Sequence, residues 1–462
     1  MDLSRFRVAF YDCLTARADA LFELADAVLC EQGPVNTLVE LCLAAQHRRG
    51  HGALYDGLNA GRIDITRLSY SLSGLPLPRD RDGRIVLAVD VSNWLRPDAD
   101  TSAERLFCHT YGRGKNQAQM IPGWPYSFVA VLESGPSSWT QILDVVRLGP
   151  TDDETEATAR QVRDVVTRLV QARQWQPDDP HILIMFDAGY DVTRLAYLLD
   201  DLPVQLVGRL RSDRVLRHPK PPRTPGAGGR PPKHGPEFSL PDPDTWTPPD
   251  VATANETPRY GTATASCWNR LHPRLTRRAA WTGHEGELPV IEGSLIRLSV
   301  DHLPGERDPK PLWLWTSATN LSAETVDRAW RAFLRRFDLE HTFRMLKQTL
   351  GWTKPKIRDP EAADRWTWLI VVAYTQLRLA RDLTDHIRRP WEPRQQAGRP
   401  LTPAQVHRGY RNIHRKLPVP ARAPKPSRPG PGRPPGRKNR QQAPRHNVGK
   451  HTNQPHDERT RG

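Results

Sequence analysis

The sequence predicts an α/β fold: a mixed sheet with flanking helices and a β-rich insertion, preceded by a helical N-terminal domain. Three observations predict it. Short apolar runs alternate with capped amphipathic stretches between residues 84 and 210. Residues 259–316 hold strand-like pieces alone, and residues 1–80 hold helical spacing alone.

In the N-terminal 80 residues, Leu21, Leu24, Ala25, Val28 and Leu29 recur at helical spacing, as do Leu38, Leu41, Cys42 and Ala45. The Gly33-Pro34 pair separates these two helices. The basic turn His47-Arg48-Arg49-Gly50-His51-Gly52 then leads to a third amphipathic stretch ending near Leu72.

From residue 84 the period changes. Ile85 to Val91 is a compact apolar run containing Asp90 and ending in Ser92-Asn93, and strands follow at Ser127–Glu133 and Ile142–Leu148. Thr151-Asp152-Asp153 caps a helix reaching about Arg173. A strong strand at Ile182–Phe186, a helix near Val192–Leu199 and a strand at Val204–Leu210 complete the order β-β-β-α-β-α-β. Residues 217–258 are broken by Pro and Gly and read as linker by composition. They open a β-rich insertion at about 213–316, with pieces at Tyr260–Trp268, Arg278–Trp281, Leu295–Val300 and Leu312–Thr316. A long helix capped by Ser322 is expected from Ala323 to Leu350, and another from Glu361 to about Leu383. The three expected domains are 1–80, 84–385 and a basic, Pro- and Arg-rich tail at 390–462 that has too few apolar residues to order itself.

Composition narrows the function classes. The net charge is +15, but the residues from Arg408 onward hold 15 Lys and Arg against Asp457 and Glu458, so the rest of the chain is nearly neutral. Basicity therefore speaks for the tail, and a nucleic-acid partner for the folded part must rest on local features. The longest apolar run, Trp368 to Tyr374, is far below the roughly 20 residues of a membrane span. The first thirty residues lack an uninterrupted apolar core, so a cytoplasmic protein is expected. Five scattered cysteines show no paired spacing and read as reduced, buried thiols.

Three carboxylates stand where acidic side chains can converge on a divalent cation. Asp90 lies among apolar neighbours, where a carboxylate is costly unless paired or metal-bound, and Asp187 ends the strongest apolar strand. Glu340 lies in the spacing Phe333-x2-Arg336-x3-Glu340-x6-Lys347, whose polar members fall on one face of a continuous helix. Asp191, Asp338 and Asp100 are alternatives for a metal position.

This pattern resembles the DDE transposases of bacterial insertion sequences, in the branch whose third motif reads Tyr-x2-Arg-x3-Glu-x6-Lys. Phe333 replaces the Tyr. Val89-Asp90-Val91-Ser92 resembles the first-Asp strand, and Asp187-Ala188-Gly189-Tyr190 resembles an Asp-Arg-Gly-Phe second motif, with Ala188 in place of Arg. The resemblance spans roughly residues 84–385. It implies an RNase H-like sheet and catalytic, metal-binding roles for Asp90, Asp187 and Glu340 with two Mg²⁺ (or Mn²⁺) ions. It also implies an endonuclease that cleaves and transfers strands in DNA transposition, double-stranded DNA partners (the element's terminal repeats and target DNA), no membrane, a dimer when two ends are synapsed, and association with the bacterial nucleoid.

Arg336 and Lys347 would then position end phosphates. Arg113 and Lys115 offer further phosphate donors, or belong to a solvated hairpin. Trp268, beside Arg270, is the favoured base-stacking candidate among Trp268, Trp281, Trp313 and Trp315, although strand tryptophans are commonly core. Gly229-Arg-Pro-Pro-Lys233 and Gly432-Arg-Pro-Pro-Gly-Arg437 resemble minor-groove hooks, but as Pro-rich linker they need no function, and linker is the favoured reading. The N-terminal helices suit either end recognition or a helical cap. A DNA-binding descendant without catalysis and an RNase H-like nuclease of branched substrates are the rival readings.

Overall fold

The computed structural model describes residues 2–111, 118–135, 137–222, 232–303, 309–392, 399–425 and 441–447. In chain order, α1 (Leu3–Asp12), β1 (Leu14–Ala16), α2 (Ala18–Cys30), α3 (Leu38–Cys42), α4 (His51–Ala60), β2 (Arg62–Ile63) and α5 (Ile65–Ser73) precede the first long strand. The third helix expected in this region is two helices, α4 and α5, because Gly61 ends one and Asp64 caps the next. Then come β3 (Val86–Leu95), β4 (Arg105–Tyr111), β5 (Ala118–Leu132), β6 (Thr140–Arg147), α6 (Glu154–Gln171), β7 (Ile182–Phe186), α7 (Val192–Leu198) and β8 (Val204–Leu210). Strand β4 is additional to the expected order. Its sequence, RLFCHTY, alternates too weakly to announce a strand, and its pairing with β5 supplies what its composition does not.

The insertion forms β9 (Val215–Arg217), β10 (Glu237–Ser239), β11 (Val251–Thr257), β12 (Gly261–Pro273), β13 (Gly293–Val300) and β14 (Leu312–Thr316). The chain continues through α8 (Ala323–Arg335), α9 (Phe337–Gln348), α10 (Pro360–Leu379), α11 (Pro403–His414) and β15 (Arg445–Asn447). Among the described residues no helix is long and apolar enough to cross a membrane.

The chain forms two compact units: Met1–Pro78, Asp90–Pro177 and Asp338–Gly462 make the first, and Arg79–Val89 with Asp178–Phe337 make the second. In the second unit the strand order is β10-β9-β12-β13-β14-β8-β7-β3, with β11 on β12. Strands β3, β7 and β8 run parallel, whereas β14 joins β8 antiparallel, so the insertion extends the parallel strands into one mixed sheet. Helix α8 covers β7, β8 and the insertion strands.

In the first unit β5 pairs antiparallel with β4 and β6, and α10 packs on β6, α1, α2, α4 and α11. Most of α10 is apolar on every side, which suits a helix buried at the centre of a bundle. Around Trp352 gather Trp94, Tyr126 and Phe128, with ring centroids 5.2–6.4 Å away. The Trp352 indole N–H donates to Thr367 Oγ1 at 2.9 Å, so this buried ring leaves no polar atom unsatisfied.

The tail departs from expectation. Thr402 and Gln405 form a capping box, Pro403 opens α11, and Val406 and Tyr410 are fully buried against α2 and α10. Further on, β15 adds to β4, and Arg445 reaches Asp100 at 3.1 Å. Disorder throughout 390–462 is thus corrected. One amphipathic face is enough to order a basic, Pro-rich segment when a bundle presents a matching apolar surface.

Candidate active site

In the second unit, β7 is five consecutive buried apolar residues and delivers Asp187 at its end. Phe186 stands opposite Gly208 on β8, and a Cβ on Gly208 would lie 2.7 Å from Val192 Cβ. Glycine there lets α7 close directly onto β8, which fixes the turn between Asp187 and Asp191. Asp191 accepts from Arg194 N at 3.0 Å and from the Thr193 hydroxyl at 2.8 Å, so this alternative metal ligand is a helix cap. Arg336 Nη2 lies 3.4 Å from Asp187 Oδ2, and the guanidinium rests over the Phe333 ring at 5.8 Å from its centroid. Asp187 Oδ1 is buried and has no hydrogen-bond partner among the described residues.

In the first unit, Asp90 is half-buried in β3, and its Oδ1 accepts from Val91 N at 2.9 Å. Glu340 is exposed in the first turn of α9, and Lys347 lies seven residues on, in the last turn and on the same face. The Lys347 ammonium is 5.5 Å from the Trp352 ring centroid. Burial pushes its pKa below the ordinary lysine value, while the charges of Glu340 and Asp90 act to raise it. One cation therefore feels both carboxylates.

The single helix expected over Ala323–Leu350 is broken. At Arg336 the backbone bond goes to Phe333 O, three residues back, and α8 ends there while α9 begins at Phe337. Arg336 thus belongs with Asp187 in the second unit, and Glu340 and Lys347 with Asp90 in the first. The register of β3 and β7 pairs Ala88, two residues before Asp90, with Met185, two residues before Asp187.

The remaining candidates fare unevenly. Arg113 and Lys115 lie outside the described residues, as do most of the Gly229–Lys233 stretch and all of Gly432–Arg437. Trp268 is 4% exposed, donates its indole N–H to Thr247 O at 2.7 Å and packs against Phe238, Trp246 and Trp313. It is core, and the expectation of a base-stacking ring there is corrected: the insertion must bury its own apolar surface, and its tryptophans do so. Trp281, Trp313 and Trp315 are buried too. Arg270 sits at φ 59° beside a register shift in β12 and pairs with Glu292 at 2.9 Å. Asp100 is engaged by Arg445, and Asp338 lies in the first turn of α9.

Among the described residues no group of three or more His, Cys, Asp or Glu side chains is arranged to hold a metal ion. The residues expected to do so nonetheless suit a hard cation. All three offer carboxylate oxygens, and the buried, unsatisfied Oδ1 of Asp187 is an acceptor that a cation or a donor must complete.

No curated protein matches the chain. The family described as DDE superfamily endonuclease matches residues 9–274, more than half of the 462 residues, and this segment includes Asp90 and Asp187 and stops before Glu340. With mixed α/β architecture and a carboxylate at the end of its central parallel strand, the chain belongs to the DDE superfamily endonuclease family.

Proposed function

We propose that the protein is a DNA transposase of the insertion-sequence type, which binds the ends of its element and cleaves and transfers strands. Asp90, Asp187 and Glu340 are the catalytic carboxylates in this reading. The observation that carries it is Lys347, a half-buried cation under the joint field of Asp90 and Glu340, on the helix that holds the last two members of the third-motif spacing.

The roles follow from the chemistry of each side chain. The three carboxylates would hold Mg²⁺ or Mn²⁺, which supplies charge stabilisation for the phosphate as its negative charge grows. Lys347, set over an aromatic ring, is fixed in position and presents its ammonium to a phosphate oxygen. Arg336, resting on Phe333 beside Asp187, offers its guanidinium to a phosphate oxygen. Phe333 lacks the hydroxyl of the Tyr usual at that position and serves as the platform for the guanidinium. The insertion-sequence branch, the use of terminal repeats as substrate, the pairing of two copies at synapsis and residence at the bacterial nucleoid belong to the same proposal.

The test uses purified full-length protein, Mg²⁺ and linear DNA carrying the sequences that flank its gene. Nicks at the element boundary are expected from the native protein. Asp90→Ala, Asp187→Ala and Glu340→Ala should each abolish nicking while retaining end binding. Near-normal nicking by any one of them removes that residue from the site.

A further inference from the structure

The second unit holds a cleft of about 510 Å³ that begins at Ala188, the residue following Asp187. Arg209, Arg211, Trp246, Arg297, Lys310 and Trp313 line it, with Asp213 as the one carboxylate among the described residues there. Leu210 of β8 is opposite Trp313 of β14, which is opposite Arg297 of β13, so the tryptophan and the arginine stand on one face of the sheet.

The Arg297 guanidinium lies 5.4 Å from the Trp246 ring centroid and 5.9 Å from that of Trp313. Both rings are locked. Trp246 donates its N–H to Ser239 O at 2.8 Å and stacks on Phe238 with 7° between the ring planes, and Trp313 is buried against Trp268. Among the described residues Arg297, Arg209 and Lys310 form no ion pair, whereas Arg211 is matched by Asp213 at 2.9 Å. A half-buried arginine set against two aromatic rings, with no carboxylate paired to it among the described residues, keeps N–H groups for an external anion. Bidentate contact with a phosphate suits that geometry.

We propose that this cleft binds the phosphodiester backbone of the DNA strand leading to Asp187. Arg297 is its fixed contact, and Arg209 and Lys310 are its mobile ones. The aromatic rings hold an arginine for phosphate and do not receive a base. This rests on the reading of Asp187 as part of a DNA-cleaving centre.

The experiment measures binding of the full-length protein to a labelled DNA duplex across a salt series, in chelator so that cleavage plays no part. Arg297→Gln should weaken binding about tenfold and reduce the slope of log K against log salt by about 0.9, the share of one phosphate contact. Arg209→Gln and Lys310→Gln, at exposed positions that folding does not need, should each shift the slope the same way. A single-stranded oligonucleotide carrying abasic residues should bind as tightly as its intact counterpart. Unchanged slopes in all three variants would overturn the cleft, and a tenfold loss on removing bases would show that the rings read bases. Binding through the cleft without any Mg²⁺-dependent nicking would instead overturn the catalytic reading and leave the cleft standing.

Discussion

Asp26 and Asp187 are both aspartates against an arginine, and they are opposites in how completely their oxygens are used. Asp26 is almost wholly buried on α2. Its Oδ1 accepts from Arg7 at 2.6 Å, and its Oδ2 accepts from Arg7 at 2.9 Å and lies 2.9 Å from His414 Nε2. Gln376 and Tyr410 engage Arg7 in turn, at 2.7 and 3.4 Å. Asp187 has one 3.4 Å ion pair and a buried oxygen with no hydrogen-bond partner among the described residues. A carboxylate whose two oxygens are both engaged specifies packing, and one with a buried oxygen left over among the described residues keeps an acceptor open to a cation or a further donor.

Four experiments press on that contrast. The largest effect on stability is expected from truncation. A chain ending after Leu401 loses α11, and with it the buried Val406, Tyr410 and His414. At about 1.5–3 kcal/mol for each large apolar side chain it should lose roughly 5 kcal/mol, whereas ending after Lys425 should cost little. Equal denaturation midpoints for the two truncated chains would reduce α11 to an ornament of the bundle.

Next, Asp26→Ala leaves the buried Arg7 without its carboxylate and should cost about 3–5 kcal/mol in urea unfolding. A cost below about 1 kcal/mol would mean that the network adds no cohesion.

The third is acid unfolding. Burial raises the Asp26 pKa, but the Arg7 and His414 contacts outweigh it and hold the carboxyl below its ordinary 3.8. A depressed pKa stabilises the fold above the unfolded-state value, and the contribution is lost as pH falls from about 3.8 through the native value. Urea midpoints of the native protein should drop over that range, and those of Asp26→Asn should drop less. Parallel curves would remove Asp26 as a source of acid lability.

The smallest effect on stability is expected at Asp187→Asn, about 1 kcal/mol or less, because its ion pair is long and the side chain is 37% exposed. A loss comparable to that of Asp26→Ala would place Asp187 among the structural carboxylates and break the comparison.

Much of this was legible beforehand. The apolar runs at β3 and β7, each with its aspartate, the caps of α6 and α8, and most strands of the insertion follow from local spacing, whereas Arg278–Trp281, expected as a strand, ends in a 3-10 turn, and the stretch 217–258, read as linker, holds β10 and β11. The misses share a cause. Helix α11 carries a capping box and a buried stripe that composition averaging over a Pro-rich tail conceals. Trp268 sits among basic residues in the sequence but among aromatics in space. Arg209, Trp246 and Arg297 are far apart along the chain, so no motif could propose them together.

The sequence by itself determined where most of the strands and helices form and that Asp187 ends the strongest strand, because side-chain period and capping act over a few residues. Only the tertiary structure decided that Arg336 closes one helix before Glu340 begins the next, that Asp26 is saturated while Asp187 is not, and that Arg297 lies against two tryptophans. Those outcomes depend on which buried surfaces meet across long stretches of chain, and a polar group's partner in the fold is set by that meeting and not by its neighbours in sequence.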